Sequence, residues 1–187
     1  MKKNSDNAEI FLNRGATKDD LNDYTGAIAD YTEAVRIKPD YADAYYNRGI
    51  AKKKLNDYNG AIADYTEAVR INPDFAEAYN NRGIAKVTLN DYTGAIVDFT
   101  RVIEINPDYA EAYCNRGVAK FDLKDYYGAI ADFTEAIRIK PDHASAYNNR
   151  GIAKELAGDN SGACNDWRRA GELGNAKAYD LINQYCK

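Results

Sequence analysis

The sequence predicts an all-α protein, a superhelical solenoid of five two-helix repeats and a terminal helix, with about eleven helices in all. Three landmarks predict this fold, because proline, Asn-Arg-Gly and Gly-Ala each recur every 34 residues. The prolines are Pro39, Pro73, Pro107 and Pro141. A two-helix unit of this size cannot bury its apolar face alone, so we expect neighbouring repeats to stack and bury it together.

The repeats fill most of the chain of 187 residues. Their expected bounds, after a lead at 1–7, are 8–41, 42–75, 76–109, 110–143 and 144–177. Asp6 and Glu9 have the spacing of a capping box, which places the start of the array at about residue 6. Residues 175–187 are predicted to form an amphipathic helix with Tyr179, Ile182 and Tyr185 on one face. Solenoids need a terminal cap, so we expect this helix to cover the last repeat.

Each repeat is predicted to contain two helices with defined starts. Between 42–75 and the next repeat, Pro73 ends one helix, Asp74 is expected to cap the following one, and Glu77 completes a capping box. The same arrangement is expected for Asp40 with Asp43 and for Asp108 with Glu111. An aspartate is expected to cap each second helix, at Asp23, Asp57, Asp91, Asp125 and Asp159. Within a repeat, Gly49 opposite Ala61 should let the two helices approach closely while Tyr65 fills the neighbouring gap.

These recurrences resemble the tetratricopeptide repeat over five consecutive copies. The residues that carry the resemblance in one copy are Tyr45, Arg48, Gly49, Lys52, Ala61, Tyr65 and Pro73. The chain departs from the family pattern at two positions in every copy. Arginine stands where leucine is usual, at Arg14, Arg48, Arg82, Arg116 and Arg150. Lysine stands where tyrosine is usual, at Lys18, Lys52, Lys86, Lys120 and Lys154.

A recurring aspartate on the second helix is expected to neutralise these cations. The aspartates are Asp30, Asp64, Asp98, Asp132 and Asp166. Because a repeated cation accompanied by a repeated anion normally forms a ladder of ion pairs, each arginine should bind the aspartate of its own repeat. The alternative is an anion-binding face.

The resemblance implies a concave groove, lined by the first helices of the repeats, that holds a peptide. On this chain, that face carries an apolar row consisting of Tyr46, Ile50, Ile84, Val87, Val118, Phe121 and Ile152. Beside it stands an asparagine row consisting of Asn47, Asn80, Asn81, Asn115, Asn148 and Asn149. Asparagine both donates and accepts hydrogen bonds, so such a row could satisfy the backbone of an extended segment. The alternative is that the asparagines join the helices to one another.

The charge and hydropathy of the chain limit the classes of partner that we expect it to bind. The net charge of -4 comes without a basic block, so we expect no nucleic-acid partner. No apolar run reaches the ~20 residues of a membrane span, and no membrane partner is expected. Family members that bind chaperones hold a terminal carboxylate with basic residues of the groove, whereas here only Lys53 and Lys54 offer positive charge. Acids rim the groove at Glu9, Asp43, Glu77 and Glu111. We therefore expect a protein or peptide partner that is neutral to weakly basic.

Candidates for catalysis are few. His143 occupies a turn where other copies have Tyr41, Phe75 or Tyr109, so it is interpreted as a packing residue. The cysteines Cys114, Cys164 and Cys186 have spacings that fit neither a zinc site nor a redox pair, and are expected to be free thiols in a reducing cytosol. No catalytic residue, metal site or cofactor is expected.

Three functional hypotheses follow from the sequence. The first is a non-catalytic protein-protein interaction scaffold that binds an extended segment in the groove. The second is a scaffold that associates with copies of itself, a homo-oligomer formed through its ends or its groove. The third, least favoured, is a regulatory or enzymatic role for Cys114 on the groove face. The expected location is cytoplasmic, although a chain whose signal peptide had been removed would give the same sequence pattern.

Overall fold

The structure is a computed structural model that describes the backbone of residues 2–186 and the side chains of residues 7–186. The described residues form eleven α-helices and no strand, which confirms the predicted fold class. The first helices of the pairs are α1 (Lys2–Asp20), α3 (Ala42–Lys54), α5 (Ala76–Thr88), α7 (Ala110–Asp122) and α9 (Ala144–Leu156). The second helices are α2 (Tyr24–Ile37), α4 (Tyr58–Ile71), α6 (Tyr92–Ile105), α8 (Tyr126–Ile139) and α10 (Asn160–Glu172). The last helix is α11 (Ala176–Tyr185).

The chain divides into two compact units. The N-terminal unit is Met1–Asp91 and contains α1 to α5, and the C-terminal unit is Tyr92–Lys187 and contains α6 to α11. In each unit, every helix packs on the next one along the chain. First helices also contact each other, α1 with α3 and α3 with α5 in one unit, and α7 with α9 in the other. Each unit therefore has a face built from neighbouring first helices, which we call its first-helix face.

The second helices are capped as predicted wherever the cap lies within one unit. Asp57 accepts a hydrogen bond of 2.9 Å from the Gly60 amide at the start of α4. The equivalent bonds are made by Asp23, Asp125 and Asp159. Such a cap satisfies one of the backbone amides that have no partner inside the helix.

The capping boxes predicted for α3, α5 and α7 are wrong. Helix α5 begins one residue later than expected, and its N-cap is Phe75, whose side chain makes no capping bond. The carbonyl of Phe75 instead accepts from Ala78 N at 3.1 Å, so backbone closes this turn. The N-caps of α3, α7 and α9 are likewise Tyr41, Tyr109 and His143. The box predicted for Asp6 with Glu9 lies outside the residues whose side chains are described.

In the four pairs that lie within one unit, an aromatic ring fills the gap that a glycine leaves. A methyl group at Gly49 would lie 2.6 Å from Tyr65 Cε1, so only glycine admits the ring at this distance. Trp167 takes the same place against Gly151 and donates from Nε1 to the Asn148 carbonyl at 3.3 Å. The close approach predicted for Gly49 with Ala61 thus centres on the ring itself, which is fully buried.

The ion-pair ladder is confirmed in the four copies that lie within one unit. Arg48 Nη2 is 2.6 Å from Asp64 Oδ1, and Lys52 Nζ is 2.8 Å from Asp64 Oδ2. Asp30, Asp132 and Asp166 each bind an arginine and a lysine in the same way. In the remaining copy, Arg82 belongs to the N-terminal unit and Asp98 to the C-terminal unit, so this ion pair stays a prediction. Each of the four carboxylates is buried and holds two cations, which leaves no reason to propose an anion-binding face there.

Helix α11 covers α10 as expected of a cap, although the buried face differs from the predicted one. Ala178 is fully buried and packs with Ile182 in the cluster around Trp167. Tyr179 is 54% exposed, yet its hydroxyl donates to the Gly171 carbonyl at 3.1 Å. The ring of Tyr185 lies 5.7 Å from that of Trp167 and is partly exposed. The buried face of α11 is therefore centred on its small and aliphatic residues, and the tyrosines lie at the edges of that face.

A disulfide joins Cys164 of α10 to Cys186 directly after α11. The expectation of free thiols is wrong for these two cysteines and right for Cys114, which is free and buried. The spacing of 22 residues matches no cysteine motif. Only the return of α11 onto α10 brings the two Cα atoms to 5.7 Å, within the range that a disulfide spans.

Within the described part of the chain, no helix is both long enough and apolar enough to cross a lipid bilayer.

Candidate functional site

The asparagine row of the N-terminal unit is part of a network between α3 and α5. Asn81 of α5 donates from Nδ2 to the Tyr46 hydroxyl at 2.9 Å. Its Oδ1 accepts from Lys53 Nζ at 3.1 Å. Both ends of this amide are therefore engaged by α3, so Asn81 joins first helices to each other, which was the alternative interpretation of the row.

Aromatic packing and burial hold this network in place. The ring of Tyr46 lies 4.8 Å from that of Phe75 and 5.9 Å from that of Tyr65. Burial lowers the pKa of Lys53 from its usual value, and the charge of Lys54 lowers it further. An amide oxygen suits this ammonium group, because burying a cation without a partner is costly.

The remaining predicted site residues of this unit lie on the same two helices. They are Asn47 and Ile50 on α3 and Asn80, Ile84 and Val87 on α5, and all are partly buried. Lys54, the second cation of this face, is paired with Asp19 of α1 at 2.7 Å. Asn81, Tyr46, Lys53 and Lys54 thus make their polar contacts between the first helices of this unit.

The first-helix face of the C-terminal unit contains an open pocket between α7, α8 and α9. Its volume is about 250 Å³. The lining residues are Val118, Phe121, Asp122, Phe133, Asn149 and Ile152. Four of them were predicted from the sequence as groove residues, namely Val118, Phe121, Asn149 and Ile152.

The wall of the pocket rests on buried and aromatic contacts between α7 and α8. Phe133 of α8 is buried, and its ring lies against Gly117, where a methyl group would be 2.8 Å from the ring. Phe121 is partly buried, and its ring lies 5.5 Å from that of Tyr126. The apolar wall of the pocket is therefore held by contacts within the pair α7 and α8.

The three predicted asparagines of this unit differ in whether their side-chain amides are available to a ligand. Asn149 accepts from Asn148 Nδ2 at 3.4 Å, and within the described residues its own Nδ2 makes no hydrogen bond, so a donor remains at the pocket. Asn148 is 7% exposed, and its side chain is not a surface group. Asn115 of α7 is partly buried and has polar contacts of its own. Asn149 is thus the asparagine best placed to meet a ligand.

Two residues of the pocket were missed by the sequence analysis. Phe133 lies on the second helix α8, and a groove expected to be lined by first helices alone does not include that helix. Asp122 ends α7 and is exposed, and no ion pair to it is formed within the described residues. Its position, one residue after Phe121, was the signal that could have revealed it.

The remaining chemical candidates do not form a catalytic site. Burial raises the pKa of the Cys114 thiol to about 11, and the charge of Glu111 adds to this effect. A thiol with this pKa is protonated near neutral pH and is a poor nucleophile. His143 is partly buried, as expected of a packing residue, and burial and Lys140 lower its pKa.

Sequence patterns of one family match the chain. The pattern described as "Tetratricopeptide repeat" matches residues 42–75 and 110–143. The pattern described as "TPR repeat" matches residues 20–56 and 85–124. Together these segments cover more than half of the chain. No curated protein resembles the chain closely enough in sequence to count as a match.

Solved structures of similar fold cover almost the whole chain. MamA is 27% identical, with a TM-score of 0.86 over 96% of this chain and 96% of that chain. A MamA from Desulfovibrio magneticus RS-1 is 20% identical, with a TM-score of 0.85 over 90% of this chain and 95% of that chain. YrrB, described as a TPR protein with an unusual peptide-binding site, is 21% identical, with a TM-score of 0.84 over 98% of this chain and 94% of that chain.

Proposed function

The chain belongs to the tetratricopeptide repeat family, and we propose that it is a non-catalytic scaffold that binds an extended segment of a partner protein. The binding surface in this proposal is the first-helix face of the C-terminal unit. Its partner is a protein or peptide, and no chemical step is assigned to it. The buried and protonated thiol of Cys114 supports a non-catalytic role.

One observation carries this proposal, the open apolar pocket that has a hydrogen-bond donor at its edge. Val118, Phe121 and Ile152 leave apolar surface around a volume of about 250 Å³. Open apolar pockets with a few polar groups are the usual form of ligand sites. Asn149 adds an amide that can meet the backbone of a bound segment. YrrB, a chain of similar fold, is described as having a peptide-binding site, which is consistent with this use of the fold.

The proposal is tested by placing a charge in the pocket. Phe121→Glu should abolish capture of partner proteins from a lysate of the source cells, because an apolar side chain of the partner would then meet a carboxylate. Tyr127→Glu is the matched control, since Tyr127 is 76% exposed on α8 and does not line the pocket. Melting temperatures of both variants show whether they fold. Unchanged capture by a folded Phe121→Glu variant would refute the proposal.

Association between copies of the chain is the alternative outcome of the same experiment. If the captured partner is this chain itself, light scattering at several concentrations should show a larger species that Phe121→Glu converts to a monomer. A mass that does not depend on concentration in the wild-type protein would exclude that alternative.

The cytoplasmic location stays a prediction, and the disulfide is the observation that argues against it. Disulfides form and persist mainly in oxidising compartments. Mass spectrometry of the protein alkylated as it leaves its source cells would decide the matter. Modified Cys164 and Cys186 would support a reducing cytosol, whereas an intact pair would support an oxidising compartment.

A further inference from the structure

The pocket of the C-terminal unit has room for one large side chain. An apolar cavity of about 150 Å³ is known to bind benzene, so a pocket of similar lining and greater volume can hold an aromatic ring or a large aliphatic group. Here the volume is about 250 Å³, and four of the six lining residues are apolar. Phe121 is partly exposed and offers ring surface to an incoming ring, which favours offset or edge-to-face contacts, while Phe133 is a buried part of the lining.

Negative charge lies at the edge of this pocket. Asp122 is one of its lining residues and is exposed. Glu155 lies on α9, three residues after Ile152 and therefore about one turn along the helix. Both acids are near the C-terminal ends of their helices, where the backbone carbonyls add partial negative charge.

Two lysines on the helices that carry these acids are bound elsewhere. Lys120 of α7 is 2.8 Å from Asp132, and Lys154 of α9 is 2.8 Å from Asp166. Lys124 lies in the turn after α7, and within the described residues it forms no ion pair with Asp122. Within the described residues, Asp122 at the edge of the pocket therefore has no ion-pair partner.

We propose that the pocket recognises a segment in which an aromatic or large aliphatic side chain is flanked by lysine or arginine. This inference rests on the proposed function and names the chemistry of its ligand. The apolar side chain fills the space between Val118, Phe121 and Ile152, and a flanking cation lies beside Asp122. Asn149 donates its amide to a backbone carbonyl of the segment.

The probe for this proposal is a short Gly-Ser peptide with Lys-Phe-Lys at its centre. Two matched peptides replace that centre by Lys-Ala-Lys or by Glu-Phe-Glu. Binding is measured on the full chain from the NMR signals of the Val118 and Ile152 methyl groups, which line the pocket. Lys-Phe-Lys should bind about tenfold more tightly than Lys-Ala-Lys, which lacks the ring. It should bind about fivefold more tightly than Glu-Phe-Glu, because exposed charge pairs contribute modestly.

Two protein variants separate the role of charge from that of the pocket. Asp122→Asn should remove most of the preference for Lys-Phe-Lys over Glu-Phe-Glu while leaving the melting temperature unchanged. Asp142→Asn is the matched control, because Asp142 is an exposed aspartate that does not line the pocket. It should keep the wild-type preference.

The outcomes of this experiment differ from those that test the function. Equal binding of Lys-Phe-Lys and Glu-Phe-Glu, or an unchanged preference in Asp122→Asn, would overturn the proposal. So would the absence of shifts at Val118 and Ile152 with all three peptides. In each case the scaffold function would still stand if Phe121→Glu abolished capture of the natural partner. Loss of the proposed function would instead show as unchanged capture by that variant.

Discussion

The two units share one plan of helix pairs but present different chemistry on their first-helix faces. In the N-terminal unit, Lys53 and Tyr46 bind Asn81, so these three polar groups satisfy each other. In the C-terminal unit, Phe121 occupies the repeat position of Lys53, and an open pocket lies beside it. The positions that make the fold are repeated in both units, whereas the positions on this face vary. Differences such as that between Lys53 and Phe121 therefore change the surface that each unit offers to a partner, while the fold stays the same.

The C-terminal unit also has a terminal helix and a disulfide that cover its last helix pair. Helix α11 and the disulfide cover the last helix pair of the C-terminal unit, where Trp167 replaces the tyrosine or phenylalanine of other copies. The larger indole fills more space against Gly151, and Tyr185 packs on it. The end of the array therefore depends on contacts that no other copy needs.

The largest expected effect comes from removing this cover. Deletion of residues 175–187 removes the disulfide and exposes the surface around Trp167 and Ala170. We expect aggregation, or a loss of at least about 4 kcal/mol in the free energy of unfolding, from the lost burial and the lost crosslink together. Thermal melting followed by light scattering measures both. Unchanged solubility and stability would mean that α11 is a tail without a capping role.

The disulfide alone should account for much of that effect. Cys164→Ser should lower the free energy of unfolding by about 3 kcal/mol, the value expected for a closed loop of this length. Denaturant unfolding with and without a reductant measures it, and the variant should have lost its sensitivity to the reductant. In the reduced wild type, alkylation at neutral pH should modify Cys164 and Cys186 but not Cys114, since burial raises the pKa of that thiol to about 11. Rapid alkylation of native Cys114 would contradict the structure.

The ion-pair ladder should contribute equally to both units. Asp64→Ala and Asp132→Ala each leave an arginine and a lysine without their buried partner, which should cost about 2–4 kcal/mol. Glu67→Ala is the control, because it breaks only the partly exposed pair with Arg70, worth about 0–1 kcal/mol. Urea unfolding of the three variants gives the comparison. A clearly unequal loss for the two aspartates would show that the units do not share this element.

The asparagines should distinguish the two first-helix faces. Asn81→Ala removes the bonds to Tyr46 and Lys53 and should cost about 1–2 kcal/mol in stability. Asn149→Ala removes one long bond and should change stability by less than about 0.5 kcal/mol, while weakening peptide binding at the pocket. Melting curves and peptide titrations of both variants test this contrast. It fails if Asn149→Ala proves the more destabilising of the two.

The smallest expected effect concerns the turn between the helices of a pair. Asn56 has a φ of 61° there, and Lys124 takes the equivalent place in the C-terminal unit with a φ of 64°. Asparagine tolerates this left-handed conformation better than lysine does. Lys124→Asn should therefore stabilise the protein by about 0.5 kcal/mol, and Asn56→Lys should destabilise it by a similar amount. Differential scanning calorimetry would detect opposite shifts, and shifts of the same sign would refute the explanation.

The sequence by itself determined the fold class and the ladder of ion pairs. A 34-residue period constrains every repeat in the same way, and residues such as Arg48 and Asp64 recur because the same contact is made each time. Local rules also placed the caps of the second helices, since Asp57 needs only the amide three residues ahead. Four of the six residues that line the pocket were predicted for the same reason, because helical periodicity identifies the exposed side of a first helix.

Only the tertiary structure decided what depends on residues far apart in the chain. The bond between Lys53 and Asn81 spans 28 positions, and no local pattern shows that this asparagine is already engaged. Cys164 and Cys186 meet because α11 folds back on α10, and Phe133 of α8 reaches the pocket because α7 carries a glycine opposite it. Periodicity states which side of a helix faces outward. Which polar groups bind each other, and where space is left for a partner, follows from the packing of neighbouring helices.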